Sequence, residues 1–298
     1  QRVDADVEQL ARMLTAGNPP LLAGRSLLVV PDGVVAAVPW PLLQARLQLG
    51  GIVQLPGLEA LSSPAAGDAP DRTRRVLLVG DPIYGADDAR IAPQARRPNR
   101  DTTVPALPRL PGTAREIASI AALASPEMSE TWIGAAATRA ALLQADLRSV
   151  QVLHLAAHAA LDPAVPELAA VVLTRFTTGG EPIPAELRAS DVLRMNVVPR
   201  LVVLSACDAA AEPSVQANGM MNLTRAFLAR GSRHVVASLW PAADASTAEL
   251  MTEFYRHLLV DGESPEIALA RAQATLAASS RWHAPFYWAG FVVLGTRP

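Results

Sequence analysis

Short, nearly uninterrupted apolar runs recur along the chain, with helical patterns between them. VLLVG (76–80), VLHLAA (152–157), LVVLSAC (201–207) and HVVASLW (234–240) each lack the polar alternation of a half-exposed strand. Runs of this kind read as strands buried on both faces, which parallel sheets require. Further strands are expected at TWIG (131–134), LAAVVLT (168–174, with a hairpin at Gly179-Gly180) and YWAGFVVLG (287–295). Helical spacing predicts a first helix over 4–16, where Val7, Leu10, Ala11 and Leu14 share a face before Gly17, Pro19 and Pro20. Thr113 with Glu116 three residues on has the form of a capping box and opens a helix to Leu123; Thr138 caps the next, to about Leu147. Ser190 is expected to cap a short helix, and Asn218 to begin one that Gly231 closes. Two more helices are expected at 244–260 and 264–278. Alternation of strand and helix from 76 onward predicts an α/β fold, a mainly parallel sheet with helices on both faces.

Upstream, SLLVV (26–30), Pro31-Asp32-Gly33 and VVAAV (34–38) carry a hairpin signal, with a short helix after it from Leu42 to Leu49. A loop rich in Ser, Pro, Ala and Gly over 62–74 looks like a seam, dividing an N-terminal accessory region, 1–74, from a main domain, 75–298. Residues 81–111 hold Pro82, Pro93, Pro98, Pro105 and Pro108 and the basic cluster Arg96, Arg97 and Arg100, and are expected to be a long mobile loop.

Composition narrows the function classes. Half of the 298 residues are hydrophobic, ample for a large core. With 26 basic against 28 acidic residues the net charge is −2, which gives no footprint for nucleic acid or an anionic membrane. A single cysteine precludes an internal disulfide, and no signal segment or long apolar run marks export or membrane spanning, so a cytoplasmic protein is expected. The start at Gln1, without methionine and directly in an amphipathic segment, suggests a piece of a longer protein.

That one cysteine, Cys207, stands where a buried strand ends, and His158 ends another. In open α/β sheets chemistry gathers just past the carboxyl ends of such strands. Were the two strands parallel neighbours, imidazole and thiol would reach the same edge, where the base can hold the thiol as thiolate. Taken alone, a cysteine after an apolar strand is more often a small buried hydrophobe. His154 and His158 are four apart, but Leu155 replaces the glutamate of HExxH and the segment reads as strand, so no metal site is expected. No Gly-rich phosphate loop of the form GxGxxG or GxxxxGK is present, and no cofactor is expected.

The blocks VLHLAAHA, LVVLSACDAA, GMMNLTRAFLARGSRHVVASLWPAADASTAELMTEFYRHLL, ALARAQATL and HAPFYWAGFVVLG, in this order, resemble those of CHAT domains, caspase-like proteases of the separase, caspase and gingipain clan. LLVVPDGVVAAVPWPLL and LPRLPGTAREI are similar to that family's N-terminal blocks, so the resemblance covers nearly the whole chain. His158 lies 49 residues before Cys207, close to the spacing of about 50 that caspases show.

The resemblance implies a cysteine endopeptidase with Cys207 as nucleophile and His158 as general base and acid, its oxyanion held by the backbone amides of Ala159 and Cys207. Ala159 replaces the family's usual glycine, and Asp208, Ala209 and Ala210 replace its usual Glu-Thr-Gly. Ser238, Leu239 and Trp240 correspond to the segment that pairs with an extended substrate, and Asp208 and Asp244 are the nearest acidic candidates for a basic P1 residue. A preference for basic P1 residues would make Arg96, Arg97 or Arg100 a self-cleavage site. Such proteases occur in bacterial defence and cell-death systems, often behind tetratricopeptide repeats. The implied partners are therefore a protein substrate and a regulatory or sensor protein or N-terminal repeat region. A catalytically silent signalling or scaffold module is the alternative, motivated by Ala159 and the altered cysteine loop; a flavodoxin-like binding domain shares the strand and helix alternation.

Overall fold

The computed structural model describes residues 2–15, 22–31, 38, 40–61, 75–96, 107–161, 164–207, 213–241 and 243–295. In chain order the helices and strands are α1 (Arg2–Leu14), β1 (Ser26–Val29), α2 (Trp40–Leu47), β2 (Gly51–Gln54), β3 (Arg75–Gly80), α3 (Pro111–Leu123), β4 (Ser129–Ile133), α4 (Arg139–Gln144), β5 (Val150–Ala160), β6 (Ala170–Val172), β7 (Glu186–Arg188), α5 (Ala189–Val192), β8 (Leu201–Cys207), α6 (Pro213–Ala229), β9 (His234–Ser238), α7 (Asp244–Tyr255), α8 (Pro265–Ala278) and β10 (Phe291–Gly295). A π-helical turn, Arg256–Val260, extends α7.

Among the described residues there is one sheet, in the order β1-β2-β10-β9-β8-β5-β3-β4, with β6 and β7 branching from the end of β5. Pairing is parallel from β4 through β3, β5 and β8 to β9, and antiparallel between β9 and β10. The carboxyl ends of β3, β5, β8 and β9 therefore meet at one edge. Strand order reverses at β3, since the chain runs outward to β4 and then returns to β5 on the other side of β3. A crevice opens at such a switch point.

Strand alternation sends successive side chains to opposite faces. Leu153, Leu155 and Ala157 of β5 and Val202, Leu204 and Ala206 of β8 pack with Leu142 of α4, Val192 of α5 and Leu223 and Phe227 of α6. Val152, Ala156, Leu201 and Val203 face the other way, onto Ile117 and Ile120 of α3, Phe254 and Tyr255 of α7, and Leu269 and Ala272 of α8. His154, His158, Ser205 and Cys207 occupy positions of this second face by the same alternation.

The main strands and helices fall where the apolar patterns place them. β1 pairs in parallel with β2 across α2, while residues 32–37, which hold most of the turn and second strand of the expected hairpin, lie outside the described residues. Three other local readings are corrected. α3 begins at Pro111 with Leu110 at its N-cap, so Thr113 and Glu116 are inside the helix and form no capping box. The helices assigned to Ser190 and Asn218 begin at Ala189 and Pro213, one and five residues earlier. The described part of the Pro-rich loop is anchored, with Ile83, Tyr84 and Ile91 buried and Arg90 bonded to the Asp81 and Pro82 carbonyls and to Asp88. Large apolar side chains fix it in spite of its prolines.

Candidate active site

β5 and β8 are adjacent and parallel, with His158 opposite Cys207, Ala157 opposite Ala206 and Ala156 opposite Ser205. The two residues read from the strand ends are thus direct partners on one face of the sheet. Below them on that face, Ala156 and Ser205 are both small.

His158 is buried and held from three directions. Its backbone N–H donates to the Tyr84 hydroxyl at 3.0 Å. The Tyr84 ring packs edge-on against the imidazole, with centroids 4.8 Å apart at 62°. Its Nε2 lies 2.8 Å from the Pro108 carbonyl oxygen. A carbonyl only accepts, so Nε2 carries the hydrogen and Nδ1 is the lone-pair nitrogen of the neutral ring. Burial pushes the Tyr84 phenol well above its ordinary range, which keeps the hydroxyl protonated.

The His158 N–H points toward the side where Tyr84 follows β3. Backbone alternation along a strand therefore turns the Ala159 N–H toward β8.

Asp81, the residue after β3, adopts a left-handed φ of 47°. For a non-glycine residue this stores strain of order 1–3 kcal/mol, which persists where surroundings over-determine it. Those surroundings are two guanidiniums. Arg109 donates to both carboxylate oxygens of Asp81, at 2.8 and 2.7 Å, and Arg90 Nη1 lies 2.9 Å from Oδ2. The Asp81 N–H donates to Thr113 Oγ1 at 3.1 Å, and that hydroxyl donates to the Leu110 carbonyl at 2.7 Å. Asp81, Tyr84, Pro108 and Arg109 were not read as site residues in the sequence. Only Asp81, an acidic residue directly after a buried strand, carried a local signal there.

Beneath this level His154 and Glu116 are fully buried, with Nε2 and Oε1 2.9 Å apart, and the Tyr255 hydroxyl is 3.2 Å from His154 Nδ1. This links β5, α3 and α7. His154 is a core residue in a polar network.

The remaining sequence candidates distribute as follows. Ser238 is fully buried, and its hydroxyl donates to the Trp240 carbonyl at 2.6 Å. The Leu239 N–H donates to the Gly290 carbonyl at 2.9 Å, and Trp240 Nε1 to the Phe286 carbonyl at 3.0 Å. Trp240 packs against Gly290, where a Cβ would come within 2.8 Å of its Cε2. Asp244 accepts the Gly112 N–H at 2.6 Å in the first turn of α3. Arg96 donates to the Ile91 and Ala89 carbonyls. Asp208, Ala209, Ala210, Arg97 and Arg100 lie outside the described residues.

Among the described residues, one group has metal-ligand spacing, His257, Asp261 and Glu263. Arg271 pairs with Glu263, and Arg256 contacts Asp261 and His257, so guanidinium charge already balances the carboxylates. No helix among the described residues is long and apolar enough to cross a membrane.

The family model of the CHAT domain matches residues 4–296. The chain belongs to the CHAT domain family. Over 110 residues this CHAT domain is 37% identical to human tetratricopeptide repeat protein 28 and 36% identical to the mouse protein. Each match covers 37% of the chain and 4% of the relative, so the chain spans a small part of the curated relatives it matches. Among solved structures the fold is similar to the Arg specific cysteine proteinase gingipain R, with a TM-score of 0.54 at 11% identity over 97% of this chain and 66% of that one. It is also similar to separase in the Saccharomyces cerevisiae separase–securin complex, with a TM-score of 0.50 at 14% identity over 92% of this chain and 15% of that one. The CHAT domain thus has the fold of caspase-like cysteine peptidases.

Proposed function

We propose that this CHAT domain is a cysteine endopeptidase acting through a Cys207–His158 dyad. The observation that carries the reading is the direct pairing of His158 with Cys207 at the carboxyl edge of the sheet. The Pro108 carbonyl on Nε2 supports Nδ1 as the base. In the proposed reaction Nδ1 takes the thiol proton and the thiolate sulfur attacks the scissile carbonyl carbon. The C–N bond breaks as the imidazolium hands its proton to the leaving amine, leaving a thioester. Water, deprotonated by the imidazole, then attacks the thioester and releases the acid and the free thiol. The Ala159 and Cys207 amides are the proposed oxyanion donors; the strand alternation that turns the Ala159 N–H toward β8 supports the first.

We assign the substrate backbone to the segment Ser238 to Trp240 at the end of β9. The internal bonds of the Leu239 N–H and the Trp240 carbonyl limit such pairing to the segment's other backbone groups. Asp208 is the candidate for a basic P1 residue. Gating by a sensor or partner follows from the hazard of a free endopeptidase and is paralleled by separase, solved with securin. A bacterial defence or cell-death pathway is the proposed setting.

The test is incubation with peptides carrying each P1 residue, with and without co-expressed partner proteins, comparing wild type with Cys207→Ala and His158→Ala. Turnover lost in both variants is expected. Absence of turnover under every condition, together with ordinary alkylation at Cys207, favours the silent module that Ala159 and the Asp208-Ala209-Ala210 loop suggest.

A further inference from the structure

The Asp81–Arg109 ion pair is far from obvious in a sequence and has no necessary part in the core, since Arg109 is half exposed. Its importance lies in what it holds. The Pro108 carbonyl that meets His158 Nε2 belongs to the peptide unit joining Pro108 to Arg109. A fork-to-fork guanidinium and carboxylate contact fixes both distance and plane, so it immobilises the Arg109 end of that unit. Two further anchors flank it. Leu107 packs on the Tyr84, Val172 and Ala185 cluster. Leu110 is tied through Thr113 to the Asp81 N–H, so a single residue secures the strap at two points.

We propose that Asp81 and Arg109 are positioning residues of the dyad, which hold the Pro108 carbonyl on His158 Nε2 and thereby keep the lone pair of Nδ1 turned to Cys207. The inference rests on the dyad reading. The strap acts in both protonation states: the carbonyl selects the Nε2–H tautomer of the neutral ring and accepts more strongly from the imidazolium, favouring the thiolate and imidazolium pair. The other titratable or charged groups that face this corner are Tyr84, Asp81 and Arg90 from the segment after β3, Arg109 from the strap, and Arg175 and Glu186 from the β6 and β7 side.

Because Cys207 is the sole cysteine, its alkylation by iodoacetamide reports one thiol without any knowledge of the natural substrate. The rate is measured against pH for wild type, His158→Ala, Arg109→Ala, Arg109→Lys and Asp81→Asn, with melting curves for each. Wild type is expected to show an inflection below the free-thiol value near 8.5. Arg109→Ala is expected to move it upward and slow alkylation at pH 7 roughly tenfold, with Arg109→Lys intermediate because a point charge cannot make the fork. In 15N-histidine spectra His158 is expected as the Nε2–H tautomer in wild type and as a mixture in Arg109→Ala. Where Arg109→Ala fails to fold, Arg109→Lys and Asp81→Asn carry the comparison. A wild-type profile and tautomer in folded Arg109 variants, with His158→Ala still shifted, overturns the positioning role and leaves the dyad intact. An unshifted His158→Ala overturns the dyad and the strap together.

Discussion

His158 of β5 and Cys207 of β8 are direct partners in a parallel pair of strands, the last rung of that ladder. Parallel register puts paired residues on the same face of the sheet, so the relationship follows from the backbone alone. What surrounds His158 then fixes its ring. Tyr84 bears on one side and the Pro108 carbonyl on Nε2.

Tyr84 and Tyr255 set an alkaline limit on stability. Burial raises both phenols above their ordinary value. Groups whose folded pKa is raised stabilise the fold fully below the unfolded value, about 10, and that contribution is lost as pH rises from there toward the folded pKa. Denaturant melts are expected to be flat from pH 8 to about 10 and to fall above it. Tyr84→Phe is expected to lessen the fall and, by leaving the buried His158 N–H without its acceptor, to cost about 1–3 kcal/mol at pH 7.

Asp191 governs the acid limit on the opposite face. Burial alone would raise its pKa, but hydrogen bonds from Arg139, the Arg188 amide and Arg194 hold it below the usual carboxylate range. The sign is opposite to that of the tyrosines: stability is present above the unfolded value near 3.9 and is lost as pH falls through the lower folded value. Asp191→Asn is expected to cost about 2 kcal/mol at pH 7 and to flatten the acid limb, measured by urea unfolding between pH 2 and 7.

Gly112 and Asp244 close the first turn of α3. A Cβ on Gly112 would meet the Asp244 Cγ at 2.2 Å, so Gly112→Ala must expel the carboxylate that accepts its N–H. A loss of about 1–2 kcal/mol is expected in urea melts. Asp244→Asn is expected to lower stability by less than 1 kcal/mol and to leave P1 preference unchanged across a peptide panel. A changed P1 preference would return Asp244 to the substrate pocket.

Gly290→Ala tests the groove. Its Cβ would lie 2.8 Å from Trp240 Cε2 and 3.1 Å from Ser238 Oγ, forcing the indole outward from the end of β9. Where Ser238 to Trp240 receives the substrate, peptide turnover is expected to show a raised KM at least severalfold, while Cys207 alkylation stays as in wild type. Unchanged peptide kinetics would place the substrate elsewhere.

The hydrophobic pattern by itself determined the sheet, because a strand buried on both faces must be apolar throughout, and it marked Cys207 and His158 as the places where two such strands stop. It could not determine that those strands are neighbours in register. Pairing joins residues 49 apart through hydrogen bonds of the backbone, which no side chain encodes. The same limit applied at Glu116. Its spacing from Thr113 copied a capping box, yet burial against His154 proved its use, because the start of α3 was set by Pro111 and not by Thr113. Asp244 read only as an acidic candidate for a basic P1 residue, and the fold alone brought the first turn of α3 to it. The strap was the least legible part. Arg109 and Asp81 are 28 residues apart, and only the tertiary structure, with Tyr84 and Ile83 buried and Asp81 in a left-handed turn, brought the two side chains together beside His158.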